Sequence, residues 1–254
     1  MNKKISLGIL LILGMLILGA CSSNEEDTIV QMTPILSYTN DKEENVKFVR
    51  TKEYDGMTIK EYTDSKFFYE VTPDGKLMTI FLRNAPSGVT PNVAAKEEIK
   101  LKNEDNLKRL DYDIAKFKTT INYSDSRKQY ESVSRETQGE FFTGNNVYIQ
   151  YTSDGTLISI SFKHEDPQVL NNVDKITVNE AKEIIINYFA TNASTEKYAA
   201  QLTKEIIRYD VDVYNGKKVY NLYFTLNTEE QGNFDFTYVV STESGIILYR
   251  KELR

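Results

Sequence analysis

Tryptophan is absent from this chain of 254 residues, and histidine and cysteine occur once each, as His164 and Cys21. A single cysteine permits no internal disulfide, so apolar burial must hold the fold, and a hydrophobic fraction of 40% is enough for that. Without a second histidine or thiol, neither a Ser/His/Asp nor a Cys/His nucleophilic site can be assembled. No Gly-rich phosphate loop, Walker pattern or CxxC pair is present, and no cofactor is expected. His164 stands in Phe162-Lys163-His164-Glu165-Asp166; metal sites draw several ligands from converging elements, so these neighbours read as a surface loop. Basic residues are in deficit: 31 Lys and Arg against 37 Asp and Glu give a net charge of −6. That balance is a poor match for nucleic acid and repels anionic lipid headgroups.

The N-terminus is what is there instead. Lys3 and Lys4 precede an apolar run from Ile5 to Leu18, shorter than the roughly 20 residues of a spanning helix. Leu18-Gly19-Ala20-Cys21 then resembles the lipobox of bacterial lipoproteins. The resemblance implies cleavage between Ala20 and Cys21 and a diacylglyceryl group on the Cys21 sulfur. It would anchor the chain to the lipid bilayer of the cell membrane, on the extracytoplasmic face. The alternative is an ordinary secretory signal with a free thiol beside the cut. Loss of residues 1–20 removes Lys3 and Lys4 and takes the net charge from −6 to −8. Residues 21–45, opening with the polar Ser22 to Asp27, read as the lipidated cysteine and a tether. Lys-, Asn- and Ile-rich usage points to a low-GC Gram-positive organism.

Internal repetition organises the remainder. "FFYEVTPDGKLMTIFLR" from Phe67 and "VYIQYTSDGTLISISFK" from Val147 share one plan, strand, Asp-Gly turn, strand. A third version ends near the C-terminus, so that Gly75, Gly155 and Gly245 align, preceded by Thr72, Thr152 and Thr242 and followed by Leu77, Leu157 and Ile247. Asp74 and Asp154 lack the spaced oxygen ligands of a calcium loop and read as turn residues. In the third unit Thr177 and Glu180 form a capping box. Ala181, Ile184, Ile185, Tyr188 and Phe189 then line one helix face. Alternating strands follow at 207–213, 220–226 and 234–240. The middle unit offers Ala95-Lys96-Glu97 against Ala181-Lys182-Glu183 and a Thr90-Pro91 start, but its apolar stripe is ragged, since Ile99 and Leu101 cannot share a face. The expected fold is α+β, a repeated helix packed on antiparallel β-sheet. Its parts are an N-terminal strand unit at 46–83, a second unit at 84–165 and a third at 166–254.

The helix "TVNEAKEIIINYF", the strand "KKVYNLYFTL" and the ending "FTYVVSTESGIILYRKE" resemble the PepSY domain of secreted bacterial proteins, over about 175–254, with a degenerate version over about 90–165. Ser241 stands where that family often has Asp. The resemblance implies a non-catalytic module that binds or restrains extracellular peptidases, and it carries no catalytic residues. Three functions remain open: a protein-binding module docking an extracellular protein or peptidase, an envelope scaffold or sensor on a membrane complex, and an enzyme using carboxylates alone. For the last, Asp210 and Asp212 share a strand face, where they read more simply as solvating a wet sheet face. Seventeen Tyr and twelve Phe exceed what a core needs. Tyr148 and Tyr223 are the candidate contact surface, against the alternative of cross-strand pairs on an exposed sheet.

Overall fold

The computed structural model describes residues 45–54, 56–84, 93–228 and 232–253, together with Ile35, Tyr38 and Thr39. The leader, Ala20, Cys21, most of the expected tether and Thr90-Pro91 lie outside the described residues. The fold is mostly antiparallel sheet with few helices. The first sheet has eight strands, β1 (Lys47–Tyr54), β2 (Met57–Thr63), β3 (Phe67–Val71), β4 (Leu77–Leu82), β5 (Phe117–Ser124), β6 (Gln129–Gln138), β7 (Phe141–Thr152) and β8 (Leu157–Lys163), ordered β1-β2-β3-β4-β8-β7-β6-β5. The second has four, β9 (Arg208–Tyr214), β10 (Lys217–Thr228), β11 (Gly232–Ser241) and β12 (Ile247–Leu253), ordered β12-β11-β10-β9. Among the described residues the longer helices are α1 (Lys96–Arg109) and α2 (Val178–Thr191).

By compactness the described chain divides into two units. One holds the residues up to Ile114 with 121–132 and 148–162; the other holds 115–120, 133–147 and everything from Lys163. This division cuts across the repeat-based borders, because β5, β6 and β7 each give residues to both units.

The Asp-Gly hairpins are alike in backbone detail. In the first, Thr72 N–H donates to the Lys76 carbonyl and Gly75 N–H to the Thr72 carbonyl; in the second, Thr152 N–H donates to Thr156 and Gly155 N–H to Thr152. The Thr72 and Thr152 hydroxyl oxygens each accept a backbone N–H four residues on, at 3.0 Å in both. All three turn glycines have positive φ, 82°, 81° and 70°. In the third hairpin it is Ser241, not Thr242, that takes the threonine's place. Its N–H donates to the Ile246 carbonyl, and its hydroxyl accepts from Glu243 and Ser244 N–H. The loop is one residue longer there, which displaced the sequence alignment. With Ser241 as the reference, Tyr69 pairs with Ile80 as Tyr238 pairs with Arg250, and the same irregularity follows, between Glu70 and Val71 and between Val239 and Val240.

The first two hairpins join edge to edge. Strand β4 pairs antiparallel with β8, Ile80 opposite Ile160 with Thr79 opposite Ser161 and Phe81 opposite Ser159. Ile80 and Ile160 are equivalent positions, five residues past their glycines, so the pairing has a local pseudo-two-fold symmetry.

In the first compact unit, α1 has no side-chain cap at Ala95 and buries Ile99, Asn103, Asn106 and Leu107 while Leu101 is 67% exposed. Counted from its cap, Ile99 corresponds to Ala181 on α2, so the helix frame lies four residues from the Ala95/Ala181 match. Two residues within the expected tether lie in this unit's core. Ile35 and Tyr38 are fully buried, and the Tyr38 hydroxyl donates to Asn106 Oδ1 at 2.9 Å. The Arg109 guanidinium lies 4.5 Å from the Tyr38 ring centre and donates to the Tyr38 carbonyl. Ile35 and Tyr38, an aliphatic and an aromatic residue spaced by three, join the core.

In the second unit, Thr177 caps α2 by accepting Glu180 N–H, and Glu180 reciprocates on Thr177 N–H. Ala181, Ile185 and Phe189 pack into a core with Val211, Val213, Leu222, Phe224, Phe236, Tyr238 and Val240. Phe189 meets Phe224, Phe236 and Tyr238 edge-on at 5.4–5.8 Å. Its full burial contributes about 1.5–3 kcal/mol, and the ring geometry adds about 0.5–1.5 kcal/mol per pair.

Candidate functional site

Strand parity puts Arg208, Asp210 and Asp212 of β9, Asn221 and Tyr223 of β10, and Thr237 and Val239 of β11 on the sheet face away from α2. That face is not simply wet. Asp212 is 8% exposed, Asn221 8% and Val219 0%. Arg135, from β6 in the same compact unit, reaches over it. Its Nη2 donates to Asp212 Oδ2 at 2.8 Å and its Nη1 to Asp210 Oδ2 at 3.3 Å, with the guanidinium 3.5 Å from the Phe142 ring centre. Asn221 Nδ2 donates to both carboxylates, at 2.8 and 3.0 Å. The Tyr223 hydroxyl donates to Asp210 Oδ2, and Val213 N–H to Asp212 Oδ1. Every oxygen of the two carboxylates therefore accepts a hydrogen bond.

The electrostatics follow from that closure. Burial opposes the Arg135 charge, but the neighbouring Asp210 and Asp212 outweigh it and hold the guanidinium more firmly protonated than usual. Burial, with the Asp210 charge beside it, pushes the Tyr223 phenol above its ordinary range. Beside this closed cluster the face opens into a groove of about 460 Å³ lined by Arg135, Arg208, Asp210, Tyr223, Asp235 and Thr237. Arg208 and Thr225 are exposed there, and among the described residues Arg208 makes no ion pair.

The sequence-predicted residues are distributed unevenly around this site. Asp210, Asp212 and Tyr223 meet, around a cation that periodicity did not reveal. Arg135 sits in a polar strand, QYESVSRETQ, with no motif; the readable signal was two aspartates facing Asn221 and Tyr223 on the next strand, a polar cluster in need of a counter-charge. Tyr223 is half-buried and engaged, whereas Tyr148 on β7 is 39% exposed. His164 is exposed, and its neighbour Glu165 has a different task. The Glu165 carboxylate accepts the N–H groups of Asn215 and Gly216 at 2.8 and 2.9 Å and so clamps the β9–β10 turn. Burial works against its charge and is outweighed by those N–H groups and Lys163, so its carboxyl sits below the ordinary range.

Among the described residues no group of three or more His, Cys, Asp or Glu is placed to hold a metal ion, and no helix is long and apolar enough to cross a membrane.

No family model matches the chain, and no curated protein matches it. Among solved structures it is similar to the Bacillus megaterium YpeB C-terminal domain, at 12% identity and a TM-score of 0.48, over 89% of this chain and 96% of that one.

Proposed function

We propose that this chain is a lipid-anchored, extracytoplasmic, non-catalytic protein-binding module of PepSY type, docking an extracellular protein such as a secreted peptidase through the groove beside Arg135. One observation carries the reading. The Asp210 and Asp212 carboxylates beside the groove have their oxygens filled by Arg135, Asn221, Tyr223 and a backbone N–H, while Arg208, Thr225 and Asp235, whose Oδ1 accepts the Thr225 hydroxyl, face solvent. Acid–base work by the Asp210 and Asp212 pair would need their carboxyls free to exchange a proton with substrate, and they are engaged within the fold. A hydrogen-bonded charged rim beside exposed polar groups suits recognition of a protein surface instead.

The test is a photo-crosslinking residue in place of Thr225 in producing cells, with adducts identified by mass spectrometry. A protein adduct that is lost on Arg208→Glu is the expected result; no protein adduct overturns docking at this groove. A secreted peptidase as the adduct supports restraint, and an integral membrane protein supports the scaffold alternative. The anchor is tested separately by labelling with a palmitate analogue, which Cys21→Ala should abolish and whose retention overturns the lipidation.

A further inference from the structure

The three hairpins end in equivalent strands, β4, β8 and β12, each paired on its inner edge with the strand before the turn. The outer edges are treated differently. Those of β4 and β8 pair with each other, antiparallel, with Ile80 opposite Ile160. That of β12 has no partner strand among the described residues. Among the described residues, a third copy of the strand is therefore presented with no strand on the side its two siblings use for pairing, and an open edge offers N–H and C=O groups to an extended chain.

The central residue of the edge has changed. Arg250 stands where the other copies have isoleucine, as the shared pairing partners Tyr69 and Tyr238 show. Its guanidinium donates to the Tyr188 hydroxyl on the α2 side, and it is exposed. Two copies of this chain pairing β12 to β12 in the β4/β8 manner would place Arg250 opposite Arg250. Like charges directly opposite are unfavourable in an antiparallel pair and opposite charges favourable. The same substitution that excludes a second copy selects a strand of complementary charge.

We propose that the outer edge of β12 is a docking edge for an extended segment of another protein, added antiparallel, with a carboxylate side chain opposite Arg250. This deepens the protein-binding reading and rests on it. It assigns the partner a strand-forming segment bearing Asp or Glu at its centre.

The edge can be tested with the protein itself as probe. The full chain, purified in detergent, is compared by sedimentation with Arg250→Glu and Arg250→Asp forms and with their equimolar mixtures with the unaltered chain; circular dichroism confirms that each is folded. In the mixtures, Arg250 of one copy faces a carboxylate of the other. The expected result is that each protein alone is monomeric and that a mixture forms a 1:1 complex at least about tenfold tighter than either self-association. Arg250→Ile, restoring the residue of the other two copies, should form a homodimer. Mixtures that remain monomeric overturn the proposal, as does an unaltered chain that already dimerises through β12. Monomeric mixtures alongside intact crosslinks from position 225 would remove the edge and leave groove docking standing.

Discussion

At the scale of single residues, Arg135 decides the character of the second sheet's outer face. Its side chain is 25% exposed, and those of Asp210 and Asp212 are 18% and 12% exposed. Removing the cation leaves two poorly solvated carboxylates with Asn221, Tyr223 and one backbone N–H to stabilise them. Arg135→Ala should destabilise the protein by about 2–4 kcal/mol, because stripping one partner from a largely buried ion pair leaves the other's desolvation uncompensated. A triple variant with Arg135→Met, Asp210→Asn and Asp212→Asn should recover most of that loss. Urea unfolding of the three proteins checks both statements; a triple variant no more stable than Arg135→Ala would show that the cost is lost packing on Phe142 rather than orphaned charge.

The two helices make a natural experiment at the scale of the element. Helix α2 begins at a reciprocal capping box, whereas α1 begins at Ala95, which offers its first N–H groups no side chain. Thr177→Ala should cost about 1 kcal/mol, and Ala95→Asp should stabilise by about 0.5–1 kcal/mol, since a carboxylate there can accept a free N–H and face the positive end of the helix dipole. Denaturant midpoints measure both, and an unchanged midpoint for Ala95→Asp would mean that the chain entering α1 prevents the cap from closing. The same contrast explains why α2 was readable in the sequence and α1 less so. In α2 the stripe of Ala181, Ile185 and Phe189 is apolar, and its cap is a known pattern. The corresponding face of α1 includes the buried Asn103 and Asn106, and Asn106 is held by partners far along the chain, Tyr38 and Tyr151.

For the molecule as a whole, buried tyrosines set an alkaline limit. Burial, partly offset by Arg109, pushes the Tyr38 phenol up to about 12 from 10.0, and burial likewise raises Tyr62, Tyr151 and Tyr223. A raised folded-state value means that the unfolded chain loses the proton first. The associated stability is whole below pH 10 and is lost as pH rises through 10 toward 12. Tyr38 alone accounts for about 2–3 kcal/mol over that window. Urea midpoints measured across it should fall steeply. Tyr38→Phe should lower stability at neutral pH, where Asn106 Oδ1 loses its donor, yet flatten the alkaline fall. An alkaline limb equally steep in Tyr38→Phe would assign it to the other phenols.

The sequence by itself determined the local structure, namely the hairpin turns at Gly75, Gly155 and Gly245, the alternating strands β9 to β11 and the capped helix α2. These are settled by steric demands and hydrophobic period acting over a few residues. The tertiary structure decided what those elements meet. It drew Ile35 and Tyr38 into the core, moved the third hairpin's pivot from Thr242 to Ser241, and brought Arg135 onto Asp210 and Asp212. The burial of Tyr38 and the placing of Arg135 depend on contact between residues distant in the chain, where burial and charge pairing act without regard to sequence spacing; the hairpin shift is local, set by which hydroxyl accepts the turn's N–H groups.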